Sequence, residues 1–129
     1  ITSSAFSDCS SLVSVTLPAG LVSIGDYAFD GCSSLANVIF PAGLTSIGSC
    51  AFYGCSALAT VTAPPSSPSP SLPASPPSLP ATLTSIGNAA FAGCSSLVSV
   101  AFPATLTSIG DNAFYFCSSL SSIDLPAGL

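Results

Sequence analysis

The sequence predicts a repeat solenoid on three observations: one pattern recurs at a fixed interval, its recurring positions are mostly apolar, and the chain is almost without charge. Aligned on Ile1, Ile24, Ile47, Ile86 and Ile109, three of the four intervals are 23 residues, and the remaining one is 39, longer by 16. Self-similarity at such a period marks an array whose units bury their apolar faces only by stacking on one another. The reading is five coils, 1–23, 24–46, 47–85, 86–108 and 109–129, in a single domain of 129 residues.

Counted from each Ile, position +4 is Ala5, Ala28, Ala51, Ala90 and Ala113, and +5 is Phe6, Phe29, Phe52, Phe91 and Phe114. Position +8 is Cys9, Cys32, Cys55, Cys94 and Cys117, and +11 is Leu12, Leu35, Leu58, Leu97 and Leu120. Position +14 is Val or Ile, and +17 is Pro18, Pro41, Pro64, Pro103 and Pro126. The segments "LVSVTLP", "LANVIFP", "LATVTAP", "LVSVAFP" and "LSSIDLP" alternate and are β-branched, so each predicts a short strand. Stacked coils align these strands into a parallel sheet with +11, +14 and +16 facing inward. Proline at +17 ends each strand, where its missing N–H does least harm. "LTSIG" predicts a second extended piece, closed by Gly25, Gly48, Gly87 or Gly110. "DYAFDGC" is too short for a stable helix and predicts a single helical or 3-10 turn that pushes Ala and Phe into the core.

The stretches "LTSIGDNAFYFCSSL" and "IGDYAFDGCSSLANVIFPAGLTSIG" resemble the BspA-like class of leucine-rich repeats. The resemblance implies a curved, right-handed leucine-rich-repeat solenoid on a cell surface, used in adhesion or recognition, and offers no catalytic motif. Coil one departs from the pattern with Thr2 and Asp8, and coil five with Phe116, where Gly is usual; local distortion is expected there.

Composition excludes several functions. The chain has no Lys, Arg or His, and its five acidic residues, all Asp, give a net charge of −5. Without a basic side chain it cannot neutralise phosphates, so no nucleic-acid partner is expected, and anionic membrane surfaces are disfavoured. No apolar run reaches the roughly 18 residues of a membrane span. General acid–base chemistry would rest on Asp, Cys, Tyr or Ser alone, so the reading is no enzyme and no cofactor. There is no basic n-region of a secretory signal, and with Ile1 at its start the chain reads as a mature form or an excerpt.

The +8 cysteines read as a ladder of small, reduced, buried side chains. Their spacing holds no paired C-x₂-C zinc ligands. Cys50 stands alone at +3 and is either a free surface thiol or a link to another chain. Asp8 and Asp30 approach one another across coils one and two but lack the six oxygens of a calcium site. Asp26 and Asp111 read as caps of the helical turn.

The exposed strand positions, +13 and +15, give a candidate binding face: Ser14, Thr16, Asn37, Thr60, Thr62, Ser99 and Ser122, with Ile39, Ala101 and Asp124 completing the columns. It is flat, small and neutral, without the aromatic or Arg anchors of a protein hot spot.

The extra residues lie in "PPSSPSPSLPASPPSLP", Pro64 to Pro80, and are read as a loop over 65–80 inserted in coil three. Its proline density favours polyproline II, so at roughly 3.1 Å per residue it could reach about 25 Å out and back. The Ser-Pro spacing resembles hydroxyproline-rich wall glycoproteins, which would make Pro68, Pro70, Pro73, Pro76 and Pro77 candidates for hydroxylation and O-glycosylation. A plain flexible excursion is the other reading. The functional expectation is an extracellular or cell-surface structural module that stacks head to tail, as a homopolymer or as part of a longer chain. The alternative is a glycan- or protein-binding adhesion module using the strand face.

Overall fold

The structure, a computed structural model, describes residues 1–64 and 78–129. It is a parallel β-solenoid of about four turns rather than the five expected, and the coil numbers are kept below as labels for the aligned segments. Three-residue strands β1 (Ser14–Thr16), β3 (Asn37–Ile39), β5 (Thr60–Thr62), β7 (Ser99–Ala101) and β9 (Ser122–Asp124) form one wall. Two-residue strands β2 (Ser23–Ile24), β4 (Ser46–Ile47), β6 (Ser85–Ile86) and β8 (Ser108–Ile109) form the other. The columns read from the sequence are the pairing registers: Val15 lies beside Val38 and Val38 beside Val61. Ile24, Ile47, Ile86 and Ile109 run in line along the second wall.

The core lies between the walls. Phe6, Phe29, Phe52, Phe91 and Phe114 form one continuous stack, with ring centroids 5.2, 5.2, 5.3 and 5.4 Å apart and ring planes within 9° of parallel. Offset stacking at this spacing adds attraction beyond the area buried. Phe40 meets Phe52 edge-on, and Phe102 meets Phe114 in the same way. Leu35, Leu58 and Leu97 are fully buried, whereas Leu12 and Leu120 in the outer coils are half-buried.

The expected helical turn is corrected: the described residues contain no helix. The reason lies in where the backbone donors point. Tyr27, Phe29 and Gly31 donate their N–H groups forward to the carbonyls of Ser49, Ala51 and Tyr53 in the next coil, at 2.9, 2.7 and 2.8 Å. Only alternate donors close locally, as Asp30 does on the Tyr27 carbonyl at 3.2 Å. The backbone changes hand to achieve this, with φ of 57° at Tyr27 and 71° at Gly31. A helix needs successive residues of one hand, and this segment is instead a third inter-coil ladder. Gly suits the +7 site because that φ is open to it at no steric cost. Asp8 and Phe116 take the same backbone at φ 60° and 56°. The distortion expected of coils one and five is thus absent from this turn, and it is replaced by strain of about 1 kcal/mol or more at each residue.

The insertion begins and ends two residues earlier than spacing predicts. Leu79 and Pro80 are buried as Phe40 and Pro41 are, while Pro64 is exposed. The Leu83 N–H donates to the Pro80 carbonyl at 3.0 Å, as Leu44 does to Pro41 at 3.1 Å. The Leu79 N–H donates to the Ala101 carbonyl, matching Phe40 on Thr62. Leu79 and Pro80 therefore hold the +16 and +17 sites of coil three. The feet of the insertion are Ala63 and Ser78, joined by a 2.8 Å hydrogen bond from the Ala63 N–H to the Ser78 carbonyl. Both Pro64 and Pro80 satisfy the +17 column in sequence; only the apolar residue before Pro80 fills the core.

Candidate functional site

The strand wall carries the predicted face in two pieces. Ser14, Asn37 and Thr60 stand in register, as do Thr16, Ile39 and Thr62. Ser99 pairs with Ser122, and Ala101 with Asp124. All the predicted polar positions are exposed except Thr62, which is half-buried. Between β5 and β7 no strand pairing forms among the described residues, so the wall is a three-stranded sheet beside a two-stranded one. The break falls where the insertion leaves. Ile39, 57% exposed, interrupts the hydroxyl columns.

Sequence reasoning missed two grooves. One, about 330 Å³, lies at the corner after β1 and β3 and is lined by Val15, Leu17, Ala19, Ile39, Pro41, Ala42 and Pro64, with Thr16 as its polar member. The "PA" at 18–19 and 41–42, just past β1 and β3, is its sequence signal, legible once the corner is known to turn outward. The other, about 500 Å³ and shallow, runs along the second wall between Ser46, Ser85 and Ser108 on one side and Asp26, Ser49 and Asn88 on the other.

The aspartates act between coils. Asp26 Oδ1 accepts the Ser49 N–H at 2.7 Å, and Asn88 Oδ1 accepts the Asp111 N–H at 2.8 Å. The expected capping of a helical turn is thus replaced, at Asp26, by a link from its side chain to the next coil, while Asp111 takes part only through its N–H. Asp30, partly buried and facing the Asp8 carboxylate, has its carboxyl held above the usual range, first by desolvation and then by that like charge. No group of three or more metal-ligating side chains occurs among the described residues.

The cysteine column is more than a hydrophobic ladder. The thiols of Cys32, Cys55, Cys94 and Cys117 each donate to the carbonyl of a Phe in the preceding coil, Phe6, Phe29, Phe52 and Phe91, at 3.2, 3.2, 3.3 and 3.1 Å. Burial pushes the Cys55 thiol up to about 12 and raises Cys94 in the same way. These thiols stay protonated and unreactive. Cys32, Cys55, Cys94 and Cys117 are buried, and Cys9, in the first coil, is exposed in this structure. Cys50 is free of any disulfide within the chain and half-buried. It stands beside Tyr27, whose phenol it raises above the ordinary value, by its charge first and then by hydrogen bonding. Pro68, Pro70, Pro73, Pro76 and Pro77 lie outside the described residues.

These features define a repeat protein whose chemistry is spread along its surfaces. The chain belongs to the BspA-type leucine-rich repeat family: it matches the "BspA type Leucine rich repeat region" in six copies over residues 1–69 and 74–129. The family match thus divides the chain into one more copy than the internal alignment. The structure is similar to the crystal structure of the T. pallidum Leucine Rich Repeat protein (TpLRR), with 37% identity, a TM-score of 0.86, and coverage of 100% of this chain and 53% of that one. It is also similar to a leucine-rich repeat protein from Bacteroides ovatus ATCC 8483, with 33% identity, a TM-score of 0.81, and coverage of 98% and 29% respectively. The chain thus spans about half the length of the first and less than a third of the second. No curated protein matches it.

Proposed function

We propose that this chain is a non-enzymatic recognition module displayed outside the cell or on its surface, binding a neutral glycan on the strand wall. The observation that carries this reading is the joining of two surfaces at Ile39. The in-register Ser14, Asn37 and Thr60 offer short donors and acceptors, and the corner groove beside them offers an apolar floor. A sugar ring has hydroxyls at its edge and C–H groups on its face, so it uses both. A net charge of −5 with no cation to offset it selects against acidic sugars. The test is a screen of immobilised neutral glycans with the parent chain, Ile39→Asp, and Ser85→Asp on the opposite wall. Binding that Ile39→Asp abolishes and Ser85→Asp leaves intact supports the proposal. No binding, or binding indifferent to Ile39, contradicts it.

A structural reading is the second proposal, favoured by inter-coil ladders in which Tyr27, Phe29 and Gly31 donate to Ser49, Ala51 and Tyr53 as like donors do in the other coils. On that reading copies stack head to tail in a fibre or wall, and the Pro/Ser-rich segment carries sugar on hydroxylated prolines. Intact mass of native material would then exceed the sequence mass by whole pentoses or hexoses, and an unmodified mass removes the glycoprotein part.

A further inference from the structure

The corner groove beside Ile39 is more apolar than an unmodified sugar can match. Ala19, Ile39, Pro41, Ala42 and Pro64 are among its lining side chains, and Thr16 alone brings a polar one. Its volume of about 330 Å³ lies at the bottom of the roughly 300–1,000 Å³ range of small-molecule sites. It therefore holds one substituent or one ring, and not a stretch of polymer. A plain hexose carries a hydroxyl or hydroxymethyl on nearly every ring carbon. A hydroxyl turned into the groove gives up its water and finds Thr16 as its single side-chain partner, a net loss for every hydroxyl beyond the first.

Thr16 indicates what would match. It stands exposed at the end of β1, in register with Ile39 of β3. Thr45, Thr84 and Thr107 on the second wall spend their hydroxyls on carbonyls of the preceding coil, at 3.1, 3.0 and 3.1 Å. The Thr16 hydroxyl makes no such bond among the described residues, and is left for a ligand. The groove thus combines one available hydroxyl with walls of methyl and methylene groups. An acetamido group has the same composition, an N–H and a carbonyl for the hydroxyl and a methyl for the walls. Charge selects in the same direction. The columns beside the groove, Ser14, Asn37 and Thr60 with Thr16, Ile39 and Thr62, carry no ionised group. The chain as a whole is −5 without a cation, so a sulfate or carboxylate substituent is repelled.

We infer that the groove is a pocket for an N-acetyl group, and that the glycan recognised by the strand wall contains N-acetylhexosamine. This inference rests on the glycan binding proposed at Ile39 and names its substrate class. The sugar ring lies over Ile39 with its hydroxyl edge toward Asn37 and Thr60. The acetyl methyl enters the groove beside Ala19 and Ala42, and the amide meets Thr16. Burying one methyl and pairing one hydroxyl should make the acetamido sugar bind about tenfold tighter than the same sugar with a hydroxyl in that place.

The experiment is titration calorimetry with matched glucose-series and galactose-series oligosaccharides that differ only in carrying an acetamide, a hydroxyl or an ammonium on the same ring carbon. The acetamide form should bind tightest in at least one series. The ammonium form should bind more weakly although the acidic chain attracts it, which assigns the gain to the acetyl group and not to the nitrogen. Ala42→Leu, which fills the groove from an exposed position, and Thr16→Val should each bring the acetamide-to-hydroxyl ratio of affinities toward one. Ser85→Asp on the other wall should leave that ratio unchanged, and thermal unfolding verifies that every variant is folded. Equal binding of the acetamide and hydroxyl forms, with both lost in Ile39→Asp, would overturn this inference and leave the glycan reading standing. So would a preference that survives Ala42→Leu, or an ammonium form that binds tightest. Binding of no form would overturn both.

Discussion

The two walls of the solenoid cross the same coils and respond differently to the same insertion. The second wall runs β2-β4-β6-β8 without a gap, and β4 pairs with β6 although 39 residues separate Ile47 from Ile86. The strand wall divides between β5 and β7. The extra chain leaves immediately after β5, so the cost falls on the one strand whose end must turn outward. By the next corner Leu79 and Pro80 have restored the coil, and everything downstream keeps phase. The Phe52–Phe91 pair bridges the enlarged coil at 5.3 Å with planes 3° apart, no looser than the other pairs. A solenoid tolerates insertion at a corner because each unit needs only its neighbours, and closing a longer surface loop costs little.

The largest expected effect comes from breaking that bridge. Phe52→Ala removes a fully buried ring that stacks on both neighbours and meets Phe40 edge-on. It should cost about 3–5 kcal/mol in denaturant unfolding. Phe6→Ala, at an outer coil where the ring is 39% exposed, should cost clearly less. Equal losses would mean that the stack does not carry the junction.

Leu79→Ala sharpens the comparison on the broken wall. Leu79 is 2% exposed in the core, so truncation should cost about 2–5 kcal/mol. A loss below about 0.5 kcal/mol, the range of ordinary surface changes, would return Leu79 to the insertion.

On the continuous wall the corresponding probe is Gly87→Ala. Its Cβ would meet the Ser49 nitrogen at 2.5 Å and the Gly48 carbonyl carbon at 2.6 Å. Forcing that contact should cost about 1–3 kcal/mol, as overpacking does. A neutral substitution would show that the coils can separate there.

The smallest effect is a matter of pH. The Cys55 thiol titrates near 12 in the folded protein because burial disfavours its thiolate, against an ordinary value of 9.0. A folded value above the unfolded one means that the stabilisation is full below pH 9 and is lost as pH rises toward 12. The unfolding midpoint should fall across that window, and Cys55→Ala should flatten part of the fall. No difference between the two slopes would mean that the thiol is more accessible than its burial indicates.

Much of this arrangement was legible in the sequence, for a physical reason. When identical residues recur at one spacing, the parallel register follows, and Ala28, Phe29, Cys32, Leu35 and Val38 are core because their columns are. What the columns do not carry is the identity of a hydrogen-bond partner in another coil. That hid the ladder at Tyr27, Phe29 and Gly31, where local chemistry suggests a helical turn and the neighbouring carbonyls prevent one. It also hid the thiol bonds of the cysteines, since a column does not say which carbonyl of another coil each donor meets. The insertion was misplaced by two residues because Pro64 and Pro80 are equivalent as strand terminators, and the deciding residue is Leu79 rather than either proline. The grooves were not legible, because concavity arises from how the corners stack.

The central claim is that the core register passes the insertion unbroken, with Leu79 in the place that Phe40 holds one coil earlier. Two deletions of equal length test it directly. Removing 63–78 joins Thr62 to Leu79; removing 65–80 joins Pro64 to Ala81 and leaves Ala63 to fill the +16 site. Both should fold, and the first should be at least as stable as the parent chain, since it shortens a closed loop. It should also exceed the second by about 2–3 kcal/mol in denaturant unfolding, the cost of a core Leu reduced to Ala. A second deletion as stable as the first, or a first that fails to fold, would contradict the account.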